Sequence, residues 1–360
     1  MDERPAVDYS KAMSNTITLH AHDLDGYLTA DDNRALEEVS ALYGSYLVQC
    51  GLYDSGKSPD TEELVDLAGR IGDTLERITA AEDRIHVYSF ETPRQQHAEA
   101  GRLIARLRDP ATGHEEFLYY IQRAYELLFG HCFPDRALST KRPIIQRTPV
   151  TSPCQNYAVH RIPDIDSLIH NSVMCVMLRG ALLPSMIISK EIQDYSSDGY
   201  MTPFALFRIK RDESRTEEDM RYVLDLGKSF FSLADLDGRD LIFADPMNAT
   251  GGSLVTIVKY LESEGIRPRS IKFINVISAL KGALRVARAL PEAEIFTLWM
   301  DPVLNDSAYI MPGLGDAGDR LNGADGDEPR NIIQLIADYG QNLVNLYRSQ
   351  VRQIEKTVLG

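Results

Sequence analysis

The chain has little of what builds disulfide-rich or membrane-spanning proteins. It contains only 4 cysteines in 360 residues, and no two of them form a Cys-x-x-Cys pair. Scattered cysteines argue against a disulfide framework or a cysteine zinc site and favour a reducing compartment. No apolar run approaches the ~20 residues that cross a bilayer, and the segment MDERPAVDYSKAM lacks the apolar core of an export signal. We therefore expect a soluble cytoplasmic protein with no membrane partner.

Positive charge is also scarce. Lys and Arg number 38 against 53 Asp and Glu, which gives a formal net charge of −15. Nucleic acids and anionic membranes are bound by clustered Lys and Arg. The charge balance therefore predicts no nucleic-acid partner, although local basic residues could still bind a phosphorylated small molecule.

The most informative segment is residues 241–254, LIFADPMNATGGSL. Its first four residues predict a buried strand that ends at Asp245, and the apolar spacing after Ser253 predicts a helix. Small residues between a strand and a helix N-terminus form a site for phosphate, since free amides point outward and the helix dipole favours negative charge. A side chain at Gly252 is expected to fill the phosphate space. The alternative is an ordinary strand–turn–helix corner in which the glycines serve packing.

A second segment, Tyr309–Gly323, reads YIMPGLGDAGDRLNG and contains four glycines, two aspartates and a proline. This composition excludes a continuous helix or strand, so the segment is predicted to be a long shaped loop. Long loops inside compact domains are usually functional.

Together the two segments resemble the uracil phosphoribosyltransferase family. Its members carry an aspartate-proline-methionine-x-alanine-threonine-glycine-glycine-serine loop and, farther along, a tyrosine-isoleucine-x-proline-glycine-leucine-glycine-aspartate-alanine-glycine-aspartate loop. The resemblance extends from Asn171 to Gly323. It implies a type I phosphoribosyltransferase fold that moves ribose 5-phosphate from phosphoribosyl diphosphate to uracil or a uracil-like base. Diphosphate is released, and Mg²⁺ is held through substrate and water with no direct protein ligand.

The resemblance also implies which residues bind phosphoribosyl diphosphate. Thr250–Ser253 would cradle the 5-phosphate, and Arg179 matches the arginine that holds the diphosphate with its planar fork. A second arginine would come from a mobile hairpin, where Arg211 is the better match and Arg208 competes. The full set comprises Arg179, Arg208, Arg211, Asp245, Pro246, Met247, Asn248, Ala249, Thr250, Gly251, Gly252, Ser253 and Asp316.

By the same resemblance, Asp245 and Asp316 are the catalytic candidates, and the base would be read by Tyr309, Ile310, Gly315, Asp316 and Ala317. The sequence departs from the family at Gly180-Ala181, where the family has alanine-glycine, and at Asn322, where it usually has phenylalanine. These departures leave two alternatives open. One is the same fold acting on a different heterocycle in a specialised nucleoside pathway, and the other is a non-catalytic regulator that senses phosphoribosyl diphosphate.

Alternating strand and helix patterns from Ser172 onward predict an α/β fold with a mainly parallel sheet flanked by helices. The predicted strands are Ser172–Leu178, Phe204–Ile209, Leu241–Ala244, Ile271–Ile277 and Glu294–Met300. Ligands of such sheets bind at the carboxyl ends of the strands.

Residues 1–136 predict a helical accessory region, residues 137–327 the transferase domain and residues 328–360 a long C-terminal helix. Residues 137–163 are irregular and predict a linker or the first lobe of the transferase domain. The apolar stripe of the C-terminal helix must be buried, on the N-terminal helices or on a second subunit. We therefore expect a homodimer or higher homo-oligomer.

Gly51–Ser58, GLYDSGKS, matches the P-loop pattern of nucleoside triphosphatases. A P-loop requires a preceding strand, whereas helical periodicity precedes this segment. Pro59 follows directly, and Asp54 would repel a phosphate. We therefore predict an inter-helix loop.

Overall fold

The computed structural model describes residues 16–55, 61–152, 156–322 and 348–359. The strands are β1 (Thr16–His20), β2 (Ile85–Val87), β3 (Lys141–Arg147), β4 (Tyr157–Pro163), β5 (Ser172–Leu178), β6 (Phe204–Arg211), β7 (Arg221–Phe230), β8 (Asp240–Ala244), β9 (Met247–Asn248), β10 (Ser270–Ala279), β11 (Ala293–Asp301), β12 (Val303–Leu304) and β13 (Ile310–Met311). The helices are α1 (Ala21–Asp25), α2 (Ala30–Asp54), α3 (Thr61–Thr79), α4 (Tyr88–Glu91), α5 (Arg94–Arg108), α6 (His114–Cys132), α7 (Asp166–Ile169), α8 (Leu182–Tyr195), α9 (Gly252–Ser263), α10 (Leu280–Ala289), α11 (Ala317–Asn322) and α12 (Arg348–Leu359).

A mainly parallel sheet lies at the centre of the molecule. Its strand order is β1-β7-β6-β5-β8-β10-β11-β2, and β9 pairs with β10. The pairs from β6 across to β2 are parallel, whereas β7 is antiparallel to both β6 and β1. The predicted α/β fold is therefore confirmed.

Continuous apolar runs explain the central strands. Every residue of β5 and of β8 is buried, as expected of parallel strands that are covered by helices on both faces. The β5–α8–β6 unit crosses the sheet in one direction, and the β8–α9–β10–α10–β11 units cross it in the other. Right-handed crossovers then place α8 on one face and α9 and α10 on the opposite face. A crevice opens where the two directions part, at the carboxyl ends of β5 and β8.

The N-terminal region is helical, as predicted, but it is also built into the sheet. Its strands β1 and β2, which the sequence did not predict, lie at opposite edges of the sheet. Arg285 of α10 is fully buried and lies 2.6 Å from Asp25 of α1, and Arg288 lies 2.9 Å from Asp32 of α2. Ion pairs and strand pairing therefore join the described part of the N-terminal region to the sheet, while the predicted domain division stays a prediction.

Two local predictions are corrected. Helix α2 continues through Asp54, so the predicted inter-helix loop is wrong for Gly51–Asp54, and residues 56–60 lie outside the described residues. The preceding helix contradicts a P-loop, which needs a strand there. Residues 137–163 are not irregular throughout, since β3 and β4 form an antiparallel hairpin. Pro143 and Pro163 are tolerated because the hairpin is a two-stranded ribbon with free edges.

The described part of the C-terminal helix, α12, packs on the chain's own α8 and β6. Ile354 is fully buried there, and Thr357 Oγ1 donates to the Phe204 carbonyl at 3.2 Å. The described end of the apolar stripe, which comprises Val351 and Ile354, therefore packs on the chain's own core. Residues 328–347 of the predicted helix lie outside the described residues. Within the described ranges, no helix combines the length and apolarity needed to cross a membrane.

Candidate functional site

A cavity of about 620 Å³ lies at the carboxyl ends of β5, β6 and β8. Its walls are formed by residues 177–180, 208–213, 245–251, 253–254, 273, 309 and 316–319. Among the predicted site residues, the cavity brings together Arg179, Arg208, Arg211, Asp245, Pro246, Met247, Asn248, Ala249, Thr250, Gly251, Ser253, Tyr309, Asp316 and Ala317. Gly252, Ile310 and Gly315 do not line it.

The loop between β8 and α9 is pressed against α10. Gly251 has φ +75°, and a Cβ there would lie 2.9 Å from the Gly282 carbonyl oxygen. Gly282 in turn leaves no room for a side chain, because its Cβ would lie 2.4 Å from the Ala249 carbonyl oxygen. Helix α9 begins at Gly252, so the amides of its first turn face the cavity end of the sheet. This geometry suits an anionic group such as a phosphate.

Gly252 is required for a different reason from the one that the sequence indicated. A Cβ at Gly252 would lie 2.2 Å from two ring carbons of Tyr222, whose side chain is fully buried. The space beside Gly252 is therefore occupied by the Tyr222 ring of β7. The expectation that a side chain at Gly252 would fill the phosphate space is wrong, and the Gly252 amide donates a hydrogen bond of 3.4 Å to Thr250 Oγ1.

Asp245 stands where β8 ends and contributes a carboxylate to the cavity. Its Oδ1 accepts a hydrogen bond of 3.0 Å from the Met247 amide. Burial raises the pKa of Asp245 to about 7, and the nearby Asp316 carboxylate adds to the increase. The Met247 amide and the Arg211 guanidinium oppose it. Strongly shifted carboxyl groups in clefts are typical of functional sites.

Three arginines also line the cavity. Arg179 follows β5 directly, and its Nη2 lies 3.6 Å from Asp319 Oδ1. Arg211 donates to the Ala308 carbonyl at 3.3 Å, and its guanidinium carbon lies 5.7 Å from the centroid of the Tyr309 ring. Arg208 lines the same cavity. The structure therefore places both hairpin candidates, Arg208 and Arg211, at the site.

The segment predicted to read the base folds as a compact turn. Gly313 has φ +65°, and a Cβ there would lie 2.1 Å from the Ile310 carbonyl oxygen. Ile310 is buried and Gly315 is exposed, whereas Asp316 and Ala317 face the cavity. A Cβ at Gly180 would lie 3.5 Å from Gly318 Cα. The loop after β5 and this turn therefore nearly touch across the cavity.

Sequence reasoning missed several residues at the site. Lys210, Asp212, Glu213 and Asp319 line the cavity without having been assigned a role. Asp319 lies within the motif that identified the turn, so its signal was available. The hairpin connection after β6 is anchored by Glu217, which lies 2.7 Å from both Lys281 and Arg285 of α10. These ion pairs join residues that are distant in the chain, so no short sequence pattern predicts them.

The carboxylates of the cavity fit Mg²⁺ bound mainly through a substrate. Among the described residues, no cluster of three or more His, Cys, Asp or Glu side chains is arranged as a complete metal site. Mg²⁺ commonly binds through one or two carboxylates together with substrate phosphates and water. Asp245 and Asp316 are the predicted site residues that bring carboxylates to the cavity, and the expectation that Mg²⁺ has no direct protein ligand stays a prediction.

Comparison with known proteins supports the resemblance seen in the motifs. Residues 204–324 match the family model described as uracil phosphoribosyltransferase. The chain is similar to the uracil phosphoribosyltransferases of Dictyoglomus thermophilum, with 47% identity over 89 residues, and Geobacillus kaustophilus, with 48% identity over 90 residues. Each match covers 25% of this chain and 42% of the relative. The predicted resemblance is confirmed over residues 204–324, while its extension back to Asn171 stays a prediction. The matched part spans less than half the length of these relatives.

A solved structure of the protein AQ2163 from Aquifex aeolicus is also similar. It is 24% identical, with a TM-score of 0.45, over 64% of this chain and 97% of that chain.

Proposed function

We propose that the chain is a phosphoribosyltransferase that moves ribose 5-phosphate from phosphoribosyl diphosphate to uracil or a uracil-like base, with release of diphosphate. One observation carries the proposal. A single cavity is lined by the phosphate-type loop after β8, the arginines after β5 and in β6, and the turn after β13. The match of residues 204–324 to the uracil phosphoribosyltransferase model supports the same conclusion.

Each part of the cavity suits one part of the substrates. The amides of residues 250–253 at the start of α9 would bind the 5-phosphate, and Thr250 and Ser253 would add hydroxyl groups. Arg179 would hold the diphosphate together with Arg211 or Arg208, because a guanidinium donates two parallel hydrogen bonds to a phosphate. The base would lie against the turn that carries Asp316 and Ala317.

The chemistry needs mainly electrostatic help. Breaking the bond between the ribose carbon and diphosphate develops positive charge on the ribose and negative charge on the leaving group. Asp245 would stand beside the ribose hydroxyls, and the arginines would stabilise the leaving diphosphate. Asp245 and Asp316 would hold Mg²⁺ through substrate oxygens and water, and the ion would neutralise diphosphate charge.

The first prediction concerns the base. Backbone groups of a rigid turn can pair with the acceptor–donor–acceptor edge of an imide, and Asp316 and Ala317 present such a turn to the cavity. Uracil or a substituted uracil should therefore be turned over with phosphoribosyl diphosphate and Mg²⁺. Cytosine presents acceptor–acceptor–donor and so reverses two of these three groups. It should react about 10- to 100-fold more slowly, because an unpaired buried polar group costs about 1–3 kcal/mol.

Diphosphate release with a panel of heterocycles measures this directly. Arg179→Met should abolish release, whereas Arg34→Met, which changes an exposed arginine of α2, should leave it intact. Equal rates for cytosine and uracil would contradict the imide interpretation. Binding of phosphoribosyl diphosphate in calorimetry without turnover of any base would instead favour a sensing regulator.

We further propose a cytoplasmic homo-oligomer. The buried thiols of Cys132 and Cys175 are unpaired, which suits a reducing compartment. The hairpin of β3 and β4 carries exposed apolar side chains, and Ile145 and Val159 are cross-strand partners that are 65% and 63% exposed. A two-stranded hairpin is marginally stable alone in water, so packing against a second copy of the chain would support it.

The second prediction follows from that hairpin. The double variant Ile145→Asp/Val159→Asp should sediment as a smaller species than the parent, because paired like charges replace apolar contact. Val65→Asp, which changes an equally exposed residue of α3, serves as the control. Sedimentation velocity at matched concentrations measures the particle size of each variant. An unchanged size for the double variant would show that the hairpin does not form the interface between copies.

A further inference from the structure

Two arginines outside the cavity contact the turn that is proposed to bind the base. Arg108 is the last residue of α5, and its Nη2 donates to Asp301 Oδ1 at 2.5 Å. Asp301, which ends β11, is 1% exposed, and its Oδ2 accepts a hydrogen bond of 2.8 Å from the Gly313 amide. One buried carboxylate thus links α5 to the turn, and each of its oxygens has a separate partner.

Arg320 holds the other side of the same turn. Its Nη1 donates to the Leu314 carbonyl at 3.1 Å and also to the Leu107 carbonyl. Its Nη2 donates to the carbonyls of Asp109 at 3.2 Å and Thr112 at 3.4 Å. The guanidinium carbon lies 4.0 Å from the centroid of the Phe117 ring in α6. The Arg320 guanidinium therefore connects the carbonyls at and after the end of α5 with the Leu314 carbonyl of the turn. It also packs on the face of an aromatic ring.

The end of α5 and the connection to α6 thus reach the turn in two ways, through Arg108 and Asp301 and through Arg320. Both belong to the N-terminal region of the chain. Neither Arg108, Asp301 nor Arg320 lines the cavity. We propose that Arg108, Asp301 and Arg320, hereafter the clamp, are positioning residues that set the affinity for the base by holding the turn from Ile310 to Ala317. This inference rests on the proposed function.

The clamp should act more on the base than on phosphoribosyl diphosphate. Apart from Asp316, which the turn itself carries, the groups predicted to bind phosphate and diphosphate follow β5, β6 and β8, whereas Asp301 ends β11 and contacts Gly313. A small displacement of a positioned contact reduces binding and reactivity strongly. Loosening the clamp therefore moves the amides near the base while the β8–α9 loop stays pressed on α10.

The kinetic test compares matched arginine variants. Arg108→Met should raise the KM for the base about tenfold while the KM for phosphoribosyl diphosphate changes less than about twofold. Arg108→Lys, which retains the positive charge, should recover part of the loss. Arg106→Met, at an exposed position of the same helix, should behave like the parent. Equal increases in both KM values would overturn the inference, and so would unchanged values.

A second measurement works without turnover. Hydrogen exchange of a peptide covering residues 310–320 should become faster in Arg108→Met and in Arg320→Met, and remain at the parent rate in Arg106→Met. Arg320→Lys provides a milder variant if either methionine variant fails to fold. Unchanged exchange would show that the clamp does not hold the turn. If the parent protein turns over no base, the proposed function fails. The exchange rates alone then show whether the clamp holds the turn.

Discussion

Asp245→Asn is expected to remove most of the transferase activity and, at pH 8, to stabilise the ligand-free protein. Asparagine keeps the shape of the side chain and an oxygen that can accept the Met247 amide, so the loop should retain its form. It lacks the negative charge that would face the ribose and the Mg²⁺–diphosphate complex. Loss of a positioned electrostatic group costs about 10²–10³ in kcat. Diphosphate release under saturating substrates measures the loss.

The stability effect follows from the raised pKa. The pKa of Asp245 is about 7 in the folded protein, against an ordinary value of 3.8. The folded carboxyl binds its proton more tightly than the unfolded one, so ionisation destabilises the fold as pH rises through this range. The cost is absent below about pH 4 and complete above about pH 7. The cavity is partly open to solvent, so we expect a gain of about 1–3 kcal/mol for Asp245→Asn at pH 8.

Urea unfolding at pH 8 and pH 4 separates this effect from general stabilisation. Asp245→Asn should gain stability at pH 8 and little at pH 4. Asp73→Asn, at an exposed position of α3, should give similar small changes at both values. The parent's affinity for phosphoribosyl diphosphate should also fall as pH decreases below about 7. A gain of equal size at both pH values would show that the charge of Asp245 is not the cause.

The sequence predicted the parts of the site that are continuous in the chain. Asp245 and Gly251 lie within one strand–loop–helix unit, whose apolar run and small residues can be recognised locally. The central strands β5 and β8 were found because parallel strands buried on both faces are apolar throughout. Strands β1, β2 and β7 were missed, since they are short or alternate in polarity and gain their place by pairing with distant segments.

The remaining parts of the site depend on contacts between distant residues. Glu217 meets Arg285, Arg108 meets Asp301, and Arg320 meets the carbonyls after α5. No single segment contains both partners, so spacing rules could not reveal them. Gly252 shows a subtler limit. Its place in a phosphate-type motif suggested a role beside phosphate, but the residue that excludes a side chain there is Tyr222, from a strand that the sequence did not predict.

Gly252→Ala is expected to destabilise the protein and to weaken the binding of phosphoribosyl diphosphate strongly. The new Cβ would lie 2.2 Å from ring carbons of Tyr222, and the neighbouring Gly251 is held by α10. The loop or the ring must therefore move. Forcing extra volume into a packed interior costs about 1–3 kcal/mol, and at times more. Displaced loop amides should reduce affinity about 10²-fold, as measured by calorimetry.

A double-mutant cycle with Tyr222→Leu tests the cause. Leucine lacks the ring carbons that the new methyl group would meet, so Gly252→Ala should cost much less in that background. The coupling free energy should be about 1–3 kcal/mol in the favourable direction. Gly69→Ala is the matched control, because a Cβ there meets nothing within 4 Å, and it should stabilise α3 by about 0.5–1 kcal/mol. Additive costs for Gly252→Ala and Tyr222→Leu would mean that Tyr222 is not what requires the glycine.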